Sequence, residues 1–246
     1  MSCFVPFNRR NLDICFFVFR PTLVVVDELV EALKRFSVST EALGCVQSSI
    51  FRSIHGNMII WYGAWMRKSS DNKESLNATL LSMLTDVSTM AILIEHSFFE
   101  PYAGESRDGS LAAKLSTGDI ISVDAAESTA CKIGDLAYAC LAIFKSRFMK
   151  IEGVNAGVCM KSQSQPRVAC IVVWKSLQFC YSYILKSEYR KAMLPYLERF
   201  SLDIKYDIFK VVYVSSEGSV SYHHHVSPQP MLGHEGESKE RQVMQN

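Results

Sequence analysis

The chain has 246 residues, 48% apolar and 21% charged, enough to build one large hydrophobic core or two small ones and too apolar for a chain that stays unfolded. Twenty-six Lys and Arg against 25 Asp and Glu leave a formal net charge of +1, so no whole-chain field draws it to nucleic acid or to an anionic membrane surface, and neither is expected as a partner. The longest apolar runs, Met58–Met66 and Val168–Trp174, fall well short of the roughly 20 residues that a membrane-spanning helix needs.

Near the N-terminus Arg9 and Arg10 are followed only by Ile14–Phe19 before Arg20 and Pro21 interrupt, which is too short for a secretory leader and reads as a strand. The eight cysteines (Cys3, Cys15, Cys45, Cys131, Cys140, Cys159, Cys170 and Cys180) mostly sit in or beside apolar runs, where Cys behaves as a small buried hydrophobe. Reduced thiols in the cytoplasm or nucleus are therefore expected.

Asp13–Arg20, rich in Phe, Ile and Val, predicts a strand. Val26, Leu29, Val30, Leu33 and Phe36 then recur at helical spacing opposite a charged face and predict a helix ending near Ser37. Val46–Ile54 and Met58–Met66 read as an antiparallel pair around His55-Gly56-Asn57, with Gly56 supplying a positive φ. Asp71 and Glu74 have capping-box spacing ahead of a second amphipathic helix through Leu76, Leu80, Leu84 and Val87. Met90–Phe99 returns to strand character and is expected to stop at Glu100-Pro101. This β-α-β-β-α-β order predicts an α+β fold with a mainly antiparallel sheet, helices on one face and a ferredoxin-like N-terminal half.

The second half reads as strand-rich. Leu111–Leu115 and Asp119–Val123 are short strand candidates; Leu136–Met149 fits helix and strand about equally and is read as strand; Val158–Lys161, Arg167–Trp174 and Leu177–Ile184 are read as further strands. Ser187 precedes a predicted helix to Phe200, which Pro195 either kinks or starts as a shorter one, and Tyr206–Ser215 predicts a closing strand. Residues 1–216 thus form the globular region, with a division into halves 1–102 and 110–216 left open, and the polar, aperiodic segment 217–246 is expected to be a disordered tail. Leu33-Lys34-Arg35-Phe36-Ser37 echoes Leu197-Glu198-Arg199-Phe200-Ser201, each between strands, which raises an internal duplication.

Candidate chemistry is sparse. His55 at the hairpin tip is a lone acid/base candidate, and Glu95-His96 looks like a pair, but adjacent strand residues point to opposite faces and cannot serve one substrate atom. The loop Ala103–Gly109 offers Glu105, Arg107 and Asp108, yet it lacks the closing Gly of a nucleophile elbow and the Lys of a P-loop. Trp61 and Trp65 share one strand face, as core or as a ligand platform. The cysteines show no zinc-ligand spacing, so no metal and no cofactor are expected, and the His223-His224-His225 run lies in the tail without a fixed geometry.

Phe4-Val5-Pro6-Phe7-Asn8, Ser48–Gly63, Tyr102–Gly109 and Leu197–Val214 resemble a plant protein family of unknown function, over about residues 1–216. The resemblance implies a plant cell and carries no activity or site residue. With no complete catalytic template, the leading expectation is a non-enzymatic protein-interaction or regulatory module that binds a protein through a sheet face or edge. The alternatives are a small-ligand-binding regulatory domain, with ligand near Trp61 and Trp65, and a hydrolase or transferase using His55 or His96 with Glu105 or Asp108.

Overall fold

The computed structural model describes residues 2–7, 12–22, 24–56, 58–67, 69–129, 132–186, 195 and 203–215. Ten strands are numbered in chain order: β1 (Ser2–Pro6), β2 (Leu12–Pro21), β3 (Cys45–Ser53), β4 (Ile59–Met66), β5 (Ala91–Ser106), β6 (Ala112–Ser116), β7 (Ile120–Glu127), β8 (Val154–Ser162), β9 (Arg167–Trp174) and β10 (Asp203–Val214). The helices are α1 (Val26–Glu41), α2 (Ser70–Ser82), α3 (Thr85–Ser88), α4 (Ile133–Arg147) and α5 (Leu177–Leu185).

Eight strands close into one antiparallel barrel in the order β10-β3-β4-β2-β5-β8-β9-β7. The order contains the same motif twice. Strands β2 to β5 are arranged second-third-first-fourth, as in a ferredoxin-like sheet, and β7 to β10 repeat that arrangement. The fourth strand of each unit pairs with the second strand of the other: β5 with β8, from Phe99↔Ser162 to Ser106↔Ala156, and β10 with β3, from Phe209↔Ser53 to Val214↔Ser49. Both seams consume strand edges that an isolated sheet would leave unpaired.

The α+β reading and the ferredoxin-like first half are thus found, and the second half is a ferredoxin-like unit as well. Leu136–Met149, read as strand, lies mostly in α4, which buries Leu136, Ala139, Cys140 and Ile143 at i, i+3, i+4 and i+7. Leu177–Ile184, also read as strand, is α5; Ser176 at its N-cap accepts a hydrogen bond from the Phe179 amide. β5 runs past Pro101 to Ser106, because a register shift between Pro101 and Ala103 absorbs the missing N–H. Ala103–Ser106 is therefore strand rather than loop. Asp71 stands in the first turn of α2, but N-cap Ser69 makes no side-chain cap bond, so the expected capping box is not formed there.

A duplication is present in the topology, in a different register from the sequence echo. The position of α1, between the first and second strands of its unit, corresponds to that of α4. The segment containing Leu197–Ser201, like the helix expected over 187–200 and the tail after residue 216, lies outside the described residues apart from Pro195.

Side-chain alternation then sets two environments. On β4, Trp61 and Trp65 face outward into the cluster beneath α1 and α2, while Ile60, Tyr62 and Ala64 face the barrel interior. Gly63 allows the outer layer to close: a Cβ there would lie 2.3 Å from the Trp61 ring. One end of the barrel is filled by the β1–β6 ribbon, whose Cys3, Val5, Ala113 and Leu115 join the interior core. The ribbon is fixed by the Phe4 amide donating to Gln47 Oε1 at 3.0 Å and by Phe7 lying flat on Gly104, where a Cβ would be 2.0 Å from the ring. Among the described residues no second ribbon closes the other end.

Candidate functional site

Between the ribbon and the opposite end the barrel encloses a cavity of about 410 Å³, a volume typical of small-molecule sites. Inward positions on seven strands and the β3–β4 turn line it: Phe16 and Val18 from β2, Met58 from the turn, Ile60 from β4, Phe99 from β5, Val123 and Ala125 from β7, Met160 from β8, Ala169 from β9 and Phe209 from β10. Strand alternation alone delivers this lining, since residues two apart share a face. Phe16 and Phe99 meet edge to face at 5.4 Å. The cavity wall is thus apolar and partly aromatic.

Its polar groups gather where β5, β9 and β10 reach the rim at that end: Glu95, Arg167, Lys205 and Asp207. Arg167 is paired with Glu95 through Nη1 and with Glu127 through Nη2, the latter at 2.7 Å, so its charge is already balanced. Asp207 is nearly buried and accepts three hydrogen bonds: from Ser53 Oγ at 2.6 Å on one oxygen, and from the Ile208 amide at 2.8 Å and His55 Nδ1 at 2.9 Å on the other. The His55 side chain is 52% exposed against 11% for Asp207, so the imidazole stands between the carboxylate and solvent. Its Nε2 faces the Tyr181 hydroxyl at 3.4 Å. Tyr206, the residue between Lys205 and Asp207, packs with the α5 cluster, and burial, then the charge of Asp124, raises its pKa, so it holds its proton at neutral pH.

Of the residues singled out in the sequence, His55 is at this rim. Glu95 lines the cavity, whereas His96 points the other way, stacked on Phe17 at 5.7 Å and 3.4 Å from the Asn77 amide. Trp61 and Trp65 are fully buried on the outer face of β4, with Trp61 Nε1 donating to Ser37 Oγ at 2.8 Å. Glu105, Arg107 and Asp108 lie at the far end of β5, beside the ribbon; Arg107 donates to the Ile151 carbonyl, and Asp108 Oδ1 accepts from Ser106 Oγ and the Ser110 amide. Those two bonds, with a further one from the Ser110 hydroxyl, hold the fully exposed Asp108 carboxyl at about 2. The structure therefore does not bring His55 or His96 together with Glu105 or Asp108. Sequence reading missed Asp207, Arg167, Lys205 and Ser53: Asp207 is 152 residues from His55, and only barrel closure unites them. Among the described residues no group of three His, Cys, Asp or Glu could hold a metal ion, and no helix is long and apolar enough to cross a membrane.

Residues 97–209 match a family described as a domain of unknown function, DUF7392. No curated protein matches the chain. Solved structures match its fold at low identity. An anthrone oxidase-like protein superposes with a TM-score of 0.72 at 15% identity, covering 88% of this chain and 98% of its own. A protein of Fusobacterium nucleatum assigned as a monooxygenase gives 0.60 at 9% identity, covering 85% and 96%. A protein assigned as a chlorite dismutase gives 0.50 at 10% identity, covering 83% and 96%.

The expectation of a non-enzymatic interaction module is overturned. That reading needed a sheet face or edge free for a partner protein. The eight-stranded sheet instead closes on itself around a cavity, with helices packed on its outside, and the similar structures carry the names of oxidases, monooxygenases and dismutases. What the chain shares with them is the fold.

Proposed function

We propose that the protein binds a small, largely apolar molecule inside the barrel and acts on it as an enzyme, with the polar rim of Glu95, Arg167, Lys205 and Asp207 meeting the polar end of that molecule. The cavity of about 410 Å³ carries this reading, because a packed barrel of this size would otherwise be filled by side chains. Support for an enzymatic role comes from the names of the similar structures and from the Asp207–His55 pair, a carboxylate and an imidazole in the arrangement that acid/base chemistry uses. A site inside the plant cell is supported by the resemblance of the chain to a plant family and by seven described cysteines standing as free thiols.

The test is to fill the cavity. Ala169 lines it and is small, so Ala169→Phe places a ring in the space without disturbing the outer helices. Fluorescence titration with 2-methoxynaphthalene is expected to show saturable binding to the wild type and at least tenfold weaker binding to the variant, at equal thermal stability. Equal affinity for both proteins would place binding outside the barrel and overturn the reading.

A further inference from the structure

We infer that the ligand taken by this cavity is a hydroxyaromatic, a ring system whose O–H donates to Asp207. The inference rests on the cavity being the binding site and names the class of molecule that fits it. An ionised carboxylate offers about four lone-pair positions. At Asp207 three of these are met by protein donors, namely Ser53 Oγ, the Ile208 amide and His55 Nδ1. The carboxylate also lines the cavity, so the fourth position is what a bound molecule meets.

Its neighbours narrow the class. Arg167 is held by two glutamates, so that with Lys205 and Asp207 the rim carries more carboxylates than cations and gives a full ligand anion no reason to enter. Lys205 lies two residues before Asp207 on β10 and lines the same cavity, so an oxygen that donates to the carboxylate can also receive an ammonium hydrogen. A neutral hydroxyl serves both roles; an ether or a ketone can only accept. The rest of the volume is walled by Phe16, Phe99 and Phe209 with aliphatic side chains, which suits a flat ring. His55 is a positioning residue here. Its Nδ1–H fixes the carboxylate from the solvent side without lining the cavity.

The experiment compares two probes of almost equal shape, 2-naphthol and 2-methoxynaphthalene, by fluorescence titration of the wild type and four variants. Hydrogen bonds to charged groups contribute about 1.5–3 kcal/mol, so the wild type is expected to prefer the naphthol by tenfold or more. Asp207→Asn should bring the two affinities within about threefold. His55→Ala should reduce the preference, and His55→Asn, whose amide can donate from nearly the position of Nδ1, should restore most of it; a merely structural role of His55 would not follow the donor. If Asp207→Asn fails to fold, the wild-type ratio and the His55 pair still decide. Equal binding of both probes to the wild type overturns the inference and leaves the cavity reading standing. Failure of both probes to bind removes the two together, and Ala169→Phe, which responds to either probe, tells binding in the barrel from binding elsewhere.

Discussion

At the scale of single residues, the structure separates side chains that define the site from those that only look reactive. Asp108 has its carboxyl held below the ordinary value by hydrogen bonds, led by that from Ser106, yet it is fully exposed at the ribbon end. Because its folded pKa lies below the ordinary 3.8, any stability it gives is present above that value and disappears as the pH falls toward 2. Ser106→Ala removes its largest hydrogen bond and should raise the carboxyl toward 3.8, read by NMR titration, while leaving ligand binding unchanged. Gly63 is the opposite case, a residue without chemistry on which the packing depends. Gly63→Ala would push a methyl into the Trp61 and Trp65 rings and should destabilise by about 1–3 kcal/mol in denaturant unfolding. The aromatic-rich strand Ile59–Met66 was legible as a strand, and its two tryptophans as sharing a face, because alternation needs no partner to be visible. Which face was inside was not legible, since both faces are apolar: one packs under helices and the other lines the barrel.

At the scale of elements, the first unit could be read closely and the second could not, for a physical reason. Helix α1 carries Asp27, Glu28, Glu31, Lys34 and Arg35 opposite its buried face, so its period stands out. In α4 the outward positions Tyr138, Leu141 and Ala142 are themselves apolar, which flattens the contrast that reveals a helix. In α5 the run Phe179, Tyr181, Tyr183 and Ile184 has strand-like composition, and the deciding signal is the single Ser176 at the N-cap. Ser176→Ala is therefore expected to cost up to about 1 kcal/mol of stability, measured by urea unfolding. The same change should weaken the contact of α5 with the rim, because Tyr181 on this helix reaches His55.

At the scale of the whole molecule, two ferredoxin-like units complete each other. Neither unit can close a barrel with its own four strands, and the cavity draws residues from both: Phe16, Val18, Ile60, Glu95 and Phe99 from one, and Val123, Met160, Arg167, Lys205 and Asp207 from the other. This is why the site was hidden in the sequence. His55 was visible as a polar residue at a turn, but the Ser53–Asp207–His55 cluster exists only through the β3–β10 seam. A fragment of residues 1–107 would expose the β3 and β5 edges together. It is expected to leave the monomeric state, pairing those edges with a second copy, and light scattering after gel filtration should show at least a dimer; a stable monomer would mean that the seams contribute little. The central claim, that the barrel interior is the binding site, is tested most directly by NMR of the protein with bound 2-naphthol. Nuclear Overhauser contacts are expected from the naphthol ring to the methyls of Val18, Ile60 and Val123 inside the barrel, whereas contacts to Leu80 and Val87 beneath the outer helices, in place of these, would contradict it.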